Sequence, residues 1–207
     1  HNDALGLEEY FQLEGLAYRL VPIKSENKSW FEYGRTDTDI LYDNVMNKFT
    51  WRGANNPDVW LDYYHKRTLT VVRSRLIYTR LANDLSAKGD TARANEVLER
   101  CMEVLPVSNV GYDIYCSDII SAWFKAGNKE KALSMTKEMT DYYFERTGYL
   151  LGQKPLIAAY ADQEIGQGLQ ILSQVMQICY NNGEAALAEE LNGRFSELYT
   201  KYVSLKQ

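Results

Sequence analysis

The stretch from Arg75 to Ser108, RLIYTRLANDLSAKGDTARANEVLERCMEVLPVS, decides the fold class. Tyr78, Leu81, Ala82 and Leu85 recur at helical spacing and mark one apolar face. Gly89-Asp90 then interrupts the pattern. Ala94, Leu98 and Cys101 resume it before Pro106 stops it. The reading is two short amphipathic helices folded antiparallel around a tight Gly-Asp turn, with alanines where the backbones come closest. One such pair cannot bury its apolar face alone and needs neighbours.

Position by position the stretch resembles a tetratricopeptide (TPR) repeat. The pattern recurs downstream. Gly127-Asn128 with Ala132 repeats Gly89-Asp90 with Ala94, 38 residues further on. Cys116, Ile119, Ile120 and Trp123 stand where Tyr78, Leu81, Ala82 and Leu85 stood, and Met139 replaces Cys101. Gly183-Glu184 with Ala188 opens a third match, preceded by Leu172, Val175, Met176 and Cys179 and followed by Phe195. Neither later unit ends in proline. Between units two and three, Met135 to Arg146 continues as helix, and Gly148, Gly152 and Pro155 are expected to break it. Leu156 to Tyr160 starts another helical stretch that runs on through Gly166 and Gly168. This insert either lengthens the helices or forms a loop on one face. Tyr199, Tyr202 and Val203 are expected to pack back from the terminal helix.

No repeat fits the first residues. Gly6 to Glu14 reads as a short helix, and Leu16 to Ile23 as a strand ending at Pro22. Asp37 or Thr38 would cap a helix from Asp39 to Phe49, with Ile40, Leu41, Val45, Met46 and Phe49 on its face. Phe49-Thr50-Trp51 reads as a second short strand. A long helix is expected from Asp58, carrying Trp60, Tyr63 and Tyr64 through Leu69 and Val72 into the first repeat. The expected fold is therefore mostly α. Residues 1–66 form an N-terminal cap with two short strands, packed on about three TPR-like helix pairs in residues 67–207, the whole being one continuous unit.

Composition narrows the function classes. The chain has 207 residues, 45% hydrophobic and 25% charged, with a net charge of −5. No Lys/Arg run indicates nucleic acid. No apolar run approaches the length of about 18 residues that a bilayer demands. No Met precedes His1, and the chain reads as a piece of a longer or processed protein. Cys101, Cys116 and Cys179 are odd in number, which rules out a full set of intrachain disulfides. Cys101 and Cys116 fall at inward positions of consecutive units, and buried free thiols are the expectation. The 16 tyrosines serve packing and binding surfaces alike.

Catalytic signals are weak. Asp37, Asp39 and Asp43 invite a calcium reading, but an EF-hand counted from Asp37 would have Tyr42 and Lys48 in place of its Gly and Glu. The acids fit a helix N-terminus instead. The two histidines are His1, at the chain end, and His65, beside Lys66 and Arg67 on a helix surface, so no metal site is expected. No phosphate-binding glycine loop exists and no cofactor is expected. One cluster, Tyr42, Asp43, Asn44, Trp51, Arg52, Trp60, Asp62 and Arg67, mixes rings with charges as a sugar or peptide site would. The competing and stronger expectation is that these rings cement the cap to the first repeat. A groove along the first helix of each unit, around Tyr78, Tyr115 and Trp123, is the candidate protein-binding surface.

Residues 6–22, GLEEYFQLEGLAYRLVP, followed by Tyr42-Asp43-Asn44-Val45-Met46-Asn47-Lys48-Phe49 and Val59-Trp60-Leu61-Asp62, carry a second resemblance. Together these blocks resemble the soluble C-terminal region of a family of bacterial multi-spanning membrane proteins. That family, long described as a domain of unknown function, is related to protein O-mannosyltransferases that use lipid-linked sugars. The resemblance covers roughly residues 5–106. It implies that sugar-transfer chemistry lies in a membrane half outside this chain, so no catalytic residue is assigned here. It implies a non-catalytic scaffold on the periplasmic or extracytoplasmic face, with a protein or peptide partner. The alternatives are a stand-alone TPR adaptor, cytoplasmic in that case, and a carbohydrate-binding module with a glycan partner.

Overall fold

The structure, a computed structural model, describes residues 5–26, 32–51, 53–62 and 71–206. It is mostly helical (68%), with nine helices and one small three-stranded sheet among the described residues. The chain divides into two units, residues 1–111 with 125–127, and residues 112–124 with 128–207.

The first unit opens on a single 3₁₀ turn, Glu8–Tyr10, followed directly by strand β1, Phe11–Leu13. The helix expected over Gly6–Glu14 does not form beyond that turn. β1 is the middle strand of the sheet, antiparallel to β2 (Tyr18–Leu20) and parallel to β3 (Arg35–Thr36). Hydrogen bonds from both neighbours hold these three residues extended, which outweighs local helix preference. β2 falls within the stretch read as a strand. The other two strands are β1 and β3, and the strand expected at Phe49–Trp51 does not form. A β-carbon at Gly34 would stand 1.9 Å from the Phe11 carbonyl oxygen, and its φ is +56°, so only glycine leads into β3.

Helix α1, Thr38–Asp43, is capped by Asp37, whose Oδ1 accepts from the Ile40 amide at 3.1 Å. It passes into one π-helical turn, Asn44–Lys48, closed by the Phe49 amide on the Asn44 carbonyl. Leu41 and Val45 are fully buried, while Ile40 is exposed. The long helix expected from Asp58 is absent over Asp58–Asp62. There the Asp58 amide donates to Asn56 Oδ1, and the Asn109 side chain donates to the Ala54 and Asn56 carbonyls. Tyr63, Tyr64, His65, Arg67 and Leu69, like His1, lie outside the described residues.

Helices α2, Val71–Ala87, and α3, Thr91–Val104, pack on each other across Tyr78, Leu81, Ala82, Leu85, Ala94, Leu98 and Cys101, all with no exposed area. The turn between them follows from two residues. Gly89 takes φ +82°, and the Asp90 amide reaches back to the Leu85 carbonyl at 3.0 Å. Asp90 then caps α3 by accepting from the Arg93 amide. After Pro106 comes a single helical turn, α4, Val107–Val110.

The sheet is fixed to α2 by Arg80, which is 4% exposed. Its guanidinium donates to Thr36 Oγ1, the Tyr18 hydroxyl and the carbonyls of Tyr33 and Gly34, at 2.9–3.1 Å. Phe11 stacks on Tyr18 beside it, with centroids 5.5 Å apart. A planar fork suits several oxygens arranged around it, and a lysine could not reach them all.

In the second unit, α5 (Tyr115–Lys125) leads to α6 (Lys129–Leu151), and α7 (Pro155–Tyr160) to α8 (Asp162–Asn181) and α9 (Ala185–Ser204). Gly183 at φ +82° and the Glu184 amide on the Cys179 carbonyl close the α8–α9 turn. Gly127 at φ +77° and the Asn128 amide on the Trp123 carbonyl do the same ahead of α6, which Asn128 caps. Glu184 caps nothing, and its carboxylate pairs with Lys129 at the start of α6. Gly148 does not break α6, because the helix runs on to Leu151 with Leu198 packed over that glycine. Gly152 and Pro155 supply the stop. Phe195 is only half-buried, and Ala188, Leu191 and Leu198 form the buried face of α9. Tyr199 and Val203 remain exposed.

Candidate functional site

Trp51 with Tyr78, and Tyr42 with Glu96, act as fastenings within the first unit. Trp51 donates its indole N–H to the Tyr78 hydroxyl at 2.9 Å, with Phe49 edge-on to the Trp51 ring. Tyr78 is fully buried, and burial pushes its phenol up to about 12, opposed in part by that hydrogen bond. Tyr42 on α1 donates its hydroxyl to the Glu96 carboxylate on α3, and Arg93 lies over its ring at 5.3 Å. The hydrogen bond to Glu96, then burial, raises its phenol to about 12.

The polar members are engaged locally. Asn44 donates to the Glu14 carbonyl at 2.6 Å and holds the π turn against the end of β1. Asp43 pairs with Lys48 and accepts from Asn47, which together hold its carboxyl below the usual range. Asp37 serves as a cap and Asp39 pairs with Arg93 at 2.8 Å, so the three acids that invite calcium are already used in three different contacts. No group of three His, Cys, Asp or Glu is placed to hold a metal among the described residues.

Trp60 stands apart, 83% exposed on the loop after Asp58, with Asp62 half-buried beyond it. Arg52 and Arg67 lie outside the described residues. The structure thus joins Trp51 to Tyr78, while Trp60 is exposed. Of the groove residues, Tyr78 and Trp123 (2% exposed) are core side chains with no surface for a ligand, and Tyr115 is half-buried. The physical reason is their place in the apolar stripe, which each helix turns inward.

Open surface is found elsewhere. In the second unit Tyr149, Leu156, Ile157, Tyr160, Tyr180 and Tyr199 are all exposed. A recess of about 150 Å³ lies between α7 and the end of α9, floored by Ala158 and Ile165 and edged by the Asp162–Lys206 pair and Tyr202. In the first unit a shallow recess of about 330 Å³ lies among Ser25, Glu26, Arg35, Thr38, Asp84 and Lys88. The sequence signal for the α7 surface was its helix of six residues packed with apolar side chains, too short to bury two faces. The Arg80 clamp carried no local signal. Cys101, Cys116 and Cys179 are buried and outside any disulfide among the described residues, and burial raises the Cys179 thiol.

No helix among the described residues is long and apolar enough to cross a membrane. No protein-family model, no curated protein and no solved structure matches the chain.

Proposed function

We propose that this chain is a non-catalytic interaction domain, a short TPR-like helical array with an N-terminal cap. In this reading it belongs to a bacterial membrane glycosyltransferase-like protein. It sits on the extracytoplasmic side, where it binds or positions an acceptor or partner protein. The observation that carries the reading is the turn used three times. Gly89-Asp90, Gly127-Asn128 and Gly183-Glu184 all place a left-handed glycine before a residue that bonds back five positions. A repeat architecture needs such a recurring local device, and helical arrays of this kind serve as binding scaffolds. The exposed rings and aliphatic side chains of α6 to α9 add surface of the sort that protein partners use.

The test has two arms. Titration of the isolated chain with unfolded secretory peptides is expected to give saturable binding, reduced by Tyr160→Ser with Leu156→Ser. Deletion of this region from the membrane-attached parent is expected to lower transfer to protein acceptors. No saturable binding together with undiminished transfer would sink the proposal. Reading the coding sequence upstream of His1 separates it from a stand-alone adaptor, since apolar segments of about 20 residues belong only to the membrane form.

A further inference from the structure

We infer that the free edge of β2 takes an extended peptide segment reading apolar, acidic, apolar. The inference stands on the sheet of the first unit alone and does not rest on the helical-array reading. β2 is an outer strand, and Tyr18, Arg19 and Leu20 are all exposed. The phase of the ladder tells which backbone groups face outward. The Val21 amide donates to the Tyr10 carbonyl, and Arg19 is the register partner of Gln12. Antiparallel pairs alternate, so Arg19 and Val21 turn their backbone groups toward β1, and Tyr18 and Leu20 turn theirs away. Those outward N–H and C=O groups have no partner among the described residues. At the next outward position Pro22 has no N–H, which ends the usable edge.

Two features make this edge a template rather than a loose end. Tyr18 is held by Arg80 through its hydroxyl and by ring stacking on Phe11, so the strand is fixed before any partner arrives. The chemistry of the occupant is also written on it. An added antiparallel strand would exchange backbone hydrogen bonds at Tyr18 and Leu20. Its residues there share the face of those two side chains, of which Leu20 is 58% exposed, and favour apolar contact. The residue between them faces Arg19, whose side chain is 65% exposed and held only at 3.3 Å by Glu14. A carboxylate fits that position. Pairing of β2 with a second copy about its own centre would instead oppose Arg19 to Arg19, which like-charge repulsion disfavours.

The experiment is an amide NMR titration of the full chain with the blocked peptides Thr-Val-Glu-Val-Thr and Thr-Val-Lys-Val-Thr. The expected result is saturable shifts centred on Tyr18 and Leu20, with the glutamate peptide bound about tenfold more tightly than the lysine one. Leu20→Pro removes an outward donor at a position where an edge strand tolerates proline, and is expected to abolish binding with the unfolding temperature kept. Arg19→Glu is expected to reverse the preference, a result that remains readable should the proline variant fold poorly. The inference is overturned by an absence of saturable shifts at millimolar peptide, by shifts centred away from β2, by equal binding of the two peptides, or by a dimer joined through β2.

Discussion

Gly168 in α8 lies so close to Thr147 in α6 that a β-carbon on it would stand 2.4 Å from the Thr147 hydroxyl oxygen. Thr147 is 2% exposed, so it has no room to turn away. The α6–α8 contact is therefore set by the absence of one methyl group. Gly168→Ala is expected to cost about 1–3 kcal/mol, the usual penalty for overpacking. Adding Thr147→Ala should recover part of that loss. Chemical unfolding of the two single variants and the double variant checks this, and simple additivity would refute it.

Gly193 is the opposite case. It lies inside α9 with nothing within 4 Å of where a β-carbon would go. Gly193→Ala is expected to stabilise the chain by about 0.5–1 kcal/mol, because alanine loses less backbone freedom in a helix. A rise in unfolding temperature is the readout.

Arg80 joins the sheet to α2 through oxygens of Thr36, Tyr18, Tyr33 and Gly34. Arg80→Met would strand the buried acceptors of Thr36 and Gly34, at about 1–3 kcal/mol for each one left unpaired. We expect a loss of at least about 2 kcal/mol. Arg80→Lys should rescue little of it, since an ammonium lacks the fork. Denaturant unfolding followed by Trp fluorescence gives the comparison.

Alkaline titration tests the fastening of the first unit. Tyr42 and Tyr78 are both pushed up to about 12 from an ordinary 10.0. Between those values the folded chain keeps protons that the unfolded chain has lost, so stability falls as pH rises through that window and is fully present below it. Tyrosinate absorbance should show a late-ionising component that shrinks in Tyr78→Phe. An unchanged titration in that variant would remove the assignment.

The caps give a graded series. Asp90→Ala and Asn128→Ala each remove a side-chain bond to a helix amide and are expected to cost about 0.5–2 kcal/mol. Glu184→Ala removes no cap bond, only the pair with Lys129, and should cost less than either. Thermal unfolding of the three variants ranks them.

Sequence alone determined the glycine turns between helices, the cap at Asp37 and the inward stripe of α2 and α3. These depend on contacts a few residues apart: a glycine free to take positive φ, an Asp oxygen three positions before an amide, and apolar side chains at one helical spacing. The candidate site was legible only in its residue types. Trp51 and Tyr78 were both singled out, and the stripe already turned Tyr78 and Trp123 inward, yet nothing local said that Trp51 and Tyr78 bond to each other. Tertiary structure decided those matters. It also decided that Phe11–Leu13 is a strand, that its parallel partner is the two-residue β3, and that Arg80 is buried. Two residues cannot display an alternating pattern, and a guanidinium enters a core only where oxygens from distant segments converge on it. That convergence is a property of the folded chain, and it is what holds the β2 edge in place.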